Sequence, residues 1–158
     1  MKSHDPAIAR LLARLDEAGE EIAQAKEAFE NPSSSDPAWA SWARTVATAQ
    51  TVCNVYNVME DVFASIAANI DGDVPKGENW HRELLDQMTA PLADVRPPVI
   101  DAKLRIELDE LRRFRHVVRH GYGARLNKPR VEEHFLSLLT AHARLIEALH
   151  QLDRVLSG

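Results

Sequence analysis

The chain has 158 residues, 45% of them hydrophobic and 27% charged, with a formal net charge of -5; this is long enough for one domain spanning 1–158 with its own core, and the composition excludes wholesale disorder. No apolar run approaches the roughly 20 residues that cross a bilayer, which predicts a cytoplasmic protein with no membrane partner. Cys53 is the only cysteine, so an intramolecular disulfide and a cysteine-based zinc site within one chain are both excluded.

The punctuation of the sequence predicts an all-α bundle of about five helices. Asp5 before Pro6 and Asp36 before Pro37 each put a capping carboxylate ahead of a proline that fits a helix start. The first helix should run to about Glu30. The second carries Val52, Val55, Met59, Phe63, Ile66 and Ile70 at helical spacing until "DGDVPKG" breaks it. A shorter helix follows in "NWHRELLDQM", and "APLADVRPPV" interrupts it with the stiff pair Pro97 and Pro98. The fourth helix should begin near Ile100 and stop at Gly121, expected in a left-handed turn, with "GYGARLNKP" as a loop. The fifth runs from Pro129 to the C-terminus, with Val131, Phe135, Leu138, Leu145 and Leu149 on its apolar side.

Charge singles out one segment. Residues 103–130 hold nine Lys or Arg against three acidic residues, a balance of +6 in a chain of net -5. A basic strip on an acidic protein suits a phosphate-rich partner. The alternative is a solvated helix end whose cations complement the helix dipole, and taken singly Arg112, Arg113 and Arg119 fit that simpler account. Arg115 differs: Leu104, Leu108, Leu111, Phe114 and Val118 define an apolar face, and Arg115 projects into its middle. It must pair with an acidic residue of another helix, lie at a subunit interface or line a pocket, because an unpaired buried guanidinium is heavily penalised. His120 stands about 140° around an ideal helix from Arg115, so either helix termination at Gly121 turns it or a second subunit completes the site. His116 and His120 form an i,i+4 pair able to share a metal, but no third ligand is placed, and no metal is assigned.

Arg115-His116, three residues, then His120-Gly121-Tyr122 resembles the R-x4-H-x-Y motif of HepT-type toxins, a branch of the HEPN superfamily of small helical ribonucleases. His116 suits the polar residue that commonly follows the arginine in that superfamily. "YNVMEDVFASIA" and "PKGENWHRELLDQM" extend the similarity upstream, to roughly residues 50–125. The resemblance implies a HEPN-like homodimer whose motif copies face each other, and a metal-independent endoribonuclease without a cofactor, acting on an RNA such as tRNA or mRNA. The ribose 2′-hydroxyl would attack the adjacent phosphorus and leave a 2′,3′-cyclic phosphate. His120 would act as general base or acid, since a histidine with an ordinary pKa near 6.5 exchanges protons at cellular pH. Arg115 would hold the phosphate, and His116 would be the complementary acid or a phosphate contact.

The same resemblance implies an antitoxin of the MNT nucleotidyltransferase type that transfers AMP to Tyr122, blocking RNA by sterics and charge; without it, Tyr122 would stack on the helix end or on a base. Arg112, Arg119, Arg125 and Lys128, with Arg130, would form the RNA track. Tyr56, Glu60 and Asp61 fall in the similar helix; a carboxylate there would either orient Arg115 or a histidine or, as preferred here, only edge the apolar face. Trp39, Trp42 and Trp80 lie outside the basic segment and read as core or interface aromatics. Two other classes remain open: a non-catalytic helical module binding RNA or nucleotides, and a partner protein whose Arg115 is an interface salt bridge.

Overall fold

The computed structural model describes residues 5–31, 37–121 and 126–158. Five α-helices follow in order: α1 (Pro6–Glu30), α2 (Pro37–Ile66), α3 (Trp80–Thr89), α4 (Ala102–His120) and α5 (Lys128–Ser157). A single π-helical turn, Ala67–Asp71, prolongs α2. Among the described residues the only extended pairing is a bridge between Leu92 and Arg96.

Local chemistry explains the boundaries. The Asp5 carboxylate accepts the N–H of Ala7 at 2.7 Å and of Ile8 at 3.4 Å ahead of Pro6, satisfying donors that the first helical turn leaves orphaned. Asp36, the expected cap of α2, lies outside the described residues. The Asn127 side chain accepts the N–H of Arg130, so α5 begins one residue before the expected Pro129. Gly121 departs from expectation. Its φ of -80° is not left-handed, although its N–H bonds the Val117 carbonyl at 2.8 Å as in a left-handed cap. The left-handed stop is instead Gly72, at φ 77°, which closes the π-helical turn.

Helix α2 packs against all four other helices. Its apolar residues Val52, Val55, Tyr56, Met59, Val62, Phe63 and Ile66 are fully buried, in one core that draws on every helix. Cys53 is buried there as a small core residue, and burial pushes its thiol pKa up. Two polar fasteners hold the ends. Asp153 near the end of α5, wholly buried, accepts the Asp5 N–H at 2.9 Å. Arg96, in the proline-rich connection, grips the Asp71 carboxylate through Nε and Nη2 while donating to the carbonyls of Ala90, Pro97 and Gln87. Gln87 of α3 also donates to Asp71, at 2.7 Å. This network fixes α3 against the end of α2, and so determines what the N-terminus of α3 faces.

Asp101 starts α4. Its carboxylate accepts the Leu104 N–H at 2.7 Å and takes both Arg144 Nη2 contacts, at 2.9 and 2.8 Å. The Leu104 N–H, seconded by Arg144, holds its pKa below the usual carboxylate range. Asp101→Ala should therefore cost about 1 kcal/mol, mostly as lost capping, since the exposed ion pair adds little. A carboxylate with a lowered folded-state pKa stabilises above its unfolded-state pKa and loses that contribution as pH falls through the folded value. Urea unfolding at pH 7 should show the gap between wild type and variant, and the gap should narrow as the pH is lowered below the usual carboxylate range.

Candidate functional site

Arg115 occupies the fourth turn of α4, and its side chain is only 5% exposed. Phe114 and Val118, expected to flank it inside the apolar face, are only half-buried, so the arginine is the deeper residue. The reason lies beneath it on α2. Glu60 meets the guanidinium with both oxygens, Nη1 to Oε1 at 2.9 Å and Nη2 to Oε2 at 3.0 Å. Nη1 also donates to Asn57 Oδ1 at 2.8 Å, and the guanidinium carbon lies 4.6 Å from the centroid of the Tyr56 ring. Burial, with the Glu60 charge beside it, pushes the Tyr56 phenol pKa far above its ordinary value. Paired, hydrogen-bonded and stacked, the charge of Arg115 is compensated on every side the geometry defines.

Glu60 therefore does more than edge an apolar face: it anchors Arg115. The same carboxylate reaches a second group, His81 in the first turn of α3, whose Nδ1 stands 2.8 Å from Oε2. His81 is partly exposed, its side chain at 36% against 9% for Glu60, and its ring lies 3.6 Å from that of Trp80. Asp61, the other acidic residue of this stretch, is exposed and pairs with Arg14 at 3.0 Å.

The motif histidines lie elsewhere on α4. The helix continues through His120, so its end does not turn that side chain toward Arg115. His116 and His120 are both exposed, their rings stacked 4.3 Å apart. His120 Nδ1 lies 3.0 Å from the His116 carbonyl; a carbonyl only accepts, so Nδ1 carries the hydrogen and Nε2 is left for proton exchange. Among the described residues no group of three or more His, Cys, Asp and Glu is arranged to hold a metal. An open groove of about 610 Å³ between α3, α4 and α5 includes none of the motif residues.

A family model described as HepT-like protein matches residues 47–156. The chain belongs to the HepT-like family. Membership associates it in general with HEPN-type ribonuclease toxins of toxin–antitoxin systems. Comparison with the curated proteins and with the solved structures returned no match. The matched span of this HepT-like chain contains Asn57, Glu60, His81, Arg115, His116 and His120, so the buried cluster and the exposed histidines lie within the family's own extent.

The surrounding cations divide into two sets. Asp109, itself 8% exposed, pairs with Arg112 at 2.8 Å and with Arg113 at 2.9 Å, drawing those two charges into local bridges. Arg119 is exposed on the last turn of α4, and Lys128 stands 3.9 Å from Glu132 and 3.4 Å from Ser41 Oγ. Tyr122 and Arg125 lie outside the described residues. Of the tryptophans, Trp80 packs on His81, whereas Trp42 is 62% exposed and is not a core residue; the Trp39 side chain lies outside the description. No helix among the described residues is long and apolar enough to cross a membrane.

Proposed function

We propose that this HepT-like chain is a metal-independent endoribonuclease toxin. The observation that carries the reading is the exposed His116–His120 stack on the same helix as the anchored Arg115, beside exposed cations able to track a phosphate backbone. His120 exchanges a proton through Nε2 while the 2′-hydroxyl oxygen attacks phosphorus and the bond to the 5′-oxygen breaks. His116 is the complementary acid or a phosphate contact. Arg115 offers its positive charge to the crowded phosphorane, and a direct contact requires Glu60 to release a donor. Arg112, Arg119, Arg125 and Lys128 extend the RNA track.

The active form is a homodimer. Ile106 and Val117, each 58% exposed, fall with His120 within about 60° of one another around α4, and Val117 is about one turn from His120, so a two-fold contact centred on Val117 would bring two copies of His120 together. The test of the reading is chemical. In the presence of a chelator the purified chain should cut RNA to fragments ending in 2′,3′-cyclic phosphate, and should leave an all-deoxy strand intact; cleavage that needs added divalent metal contradicts it.

Neutralisation is assigned to an MNT-type nucleotidyltransferase partner that places AMP on Tyr122. Bulky anions there repel an RNA phosphate. Co-expression with such a partner should add AMP to Tyr122, detected by peptide mass spectrometry, whereas an unmodified Tyr122 in a fully neutralised complex excludes this mode of control.

One observation favours a second reading. The donors of Arg115 are held by Glu60, as they would be in a helical module that binds RNA without cutting it. That module would retain salt-sensitive RNA binding after His120→Ala and show no cleavage in either form.

A further inference from the structure

His81 has no part in the motif, yet it is a partly exposed group in contact with both members of the buried Arg115–Glu60 pair. Two donors of Arg115 already satisfy the carboxylate, so charge balance alone requires no third partner. The tautomer follows from the contacts. The shorter contact decides: Nδ1 lies 2.8 Å from Glu60 Oε2, which only accepts, whereas the donor Arg115 Nη2 is at the 3.4 Å margin and already bonded to Glu60; Nδ1 therefore carries a hydrogen directed at Glu60. Nε2, on the opposite edge of the ring, is left to exchange protons. Trp80 on one side and the Arg96–Asp71–Gln87 network at the far end of α3 hold the ring in place. A carboxylate that fixes the tautomer and angle of a partly exposed imidazole is the arrangement by which acid–base histidines are oriented, with the carboxylate itself staying ionised.

We propose that His81 Nε2 contacts the RNA phosphodiester and donates the proton taken up by the departing 5′-oxygen, with Glu60 and Arg115 as its positioning residues. The step balances. The 2′-hydroxyl gives its proton to a basic nitrogen, the new bond from O2′ to phosphorus replaces the bond to O5′, and the proton on O5′ comes from His81. This assignment rests on the ribonuclease reading above and names the acid that His116 was left to supply.

Substitution can separate this role from a structural one, because asparagine places an amide nitrogen where His81 has Nδ1. His81→Asn keeps a donor for Glu60 and deletes Nε2. It should unfold at the wild-type urea midpoint, cleave RNA about 10²-fold more slowly or worse, and lose the alkaline limb of the rate–pH profile. Cleavage by His81→Asn at the wild-type rate overturns the proton-donor role. A second measurement needs no catalysis: carbethoxylation of the wild-type protein by diethyl pyrocarbonate, followed at His81 by peptide mass spectrometry, with and without a saturating 2′-O-methyl RNA. Several-fold protection is expected. Equal modification with and without the RNA analogue overturns the contact, whatever the activity; protection in a chain that never cleaves would retain the contact and remove both the proton donation and the ribonuclease reading.

Discussion

Replacing Glu60 with leucine should lower the free energy of unfolding by about 3–5 kcal/mol, a large part of what a domain of this size possesses. The uncompensated charge that remains accounts for more of this than the missing hydrogen bonds do. An arginine side chain is not deprotonated in proteins, that of Arg115 is 5% exposed, and after the substitution only Asn57, the Tyr56 ring and His81 Nδ1, at 3.4 Å, still face the guanidinium, none of them an anion. Arg115→Met alone should be damaging for the mirror-image reason, leaving Glu60 with His81 alone. The double variant Glu60→Leu with Arg115→Met should recover most of the loss, because exchanging a whole buried pair for apolar residues of similar bulk is often neutral or better. Urea midpoints at constant m-value measure all three. An undamaged Glu60→Leu would mean that the pair is not buried in solution.

His120→Ala should leave that stability unchanged and remove activity. The side chain is exposed at the end of α4, and its contacts are the His116 carbonyl and the His116 ring, so truncation there is worth at most about 0.5 kcal/mol. Proton transfer by a positioned side chain contributes about 10²–10⁴-fold to rate, and His120→Ala should reduce cleavage by a factor in that range. A folded protein with lost chemistry distinguishes a proton-transfer histidine from a structural one, whereas Glu60→Leu loses both together.

Much of the fold was legible because its signals are local. Asp5-Pro6 and Pro129 mark helix starts by chemistry confined to a few residues, and the apolar positions of α2 mark its buried face by spacing alone. Arg115 was legible as an anomaly, a cation in an apolar stripe, and Glu60 stood among its possible partners, although the role of edging the apolar face was preferred for it. The sign was present: Glu60 stands four residues after Tyr56 and three before Phe63, both fully buried, so it interrupts an apolar face of α2 as Arg115 interrupts that of α4. Two opposite charges at buried positions of different helices call for each other. His81 carried no such sign. Its place depends on how α3 docks, which Arg96 fixes by gripping Asp71 from a loop, and no periodicity encodes that grip. Gly121 misled because a glycine after a helix permits a left-handed turn without requiring one.

The central claim is tested most directly by incubating mixed cellular RNA with wild type and with His120→Ala, in chelator, after intact mass has established that Tyr122 carries no AMP. Cleavage by the wild type alone, with 2′,3′-cyclic phosphate ends, is the expected result. Equal cleavage by both proteins, or none by an unmodified and folded wild type, would contradict it.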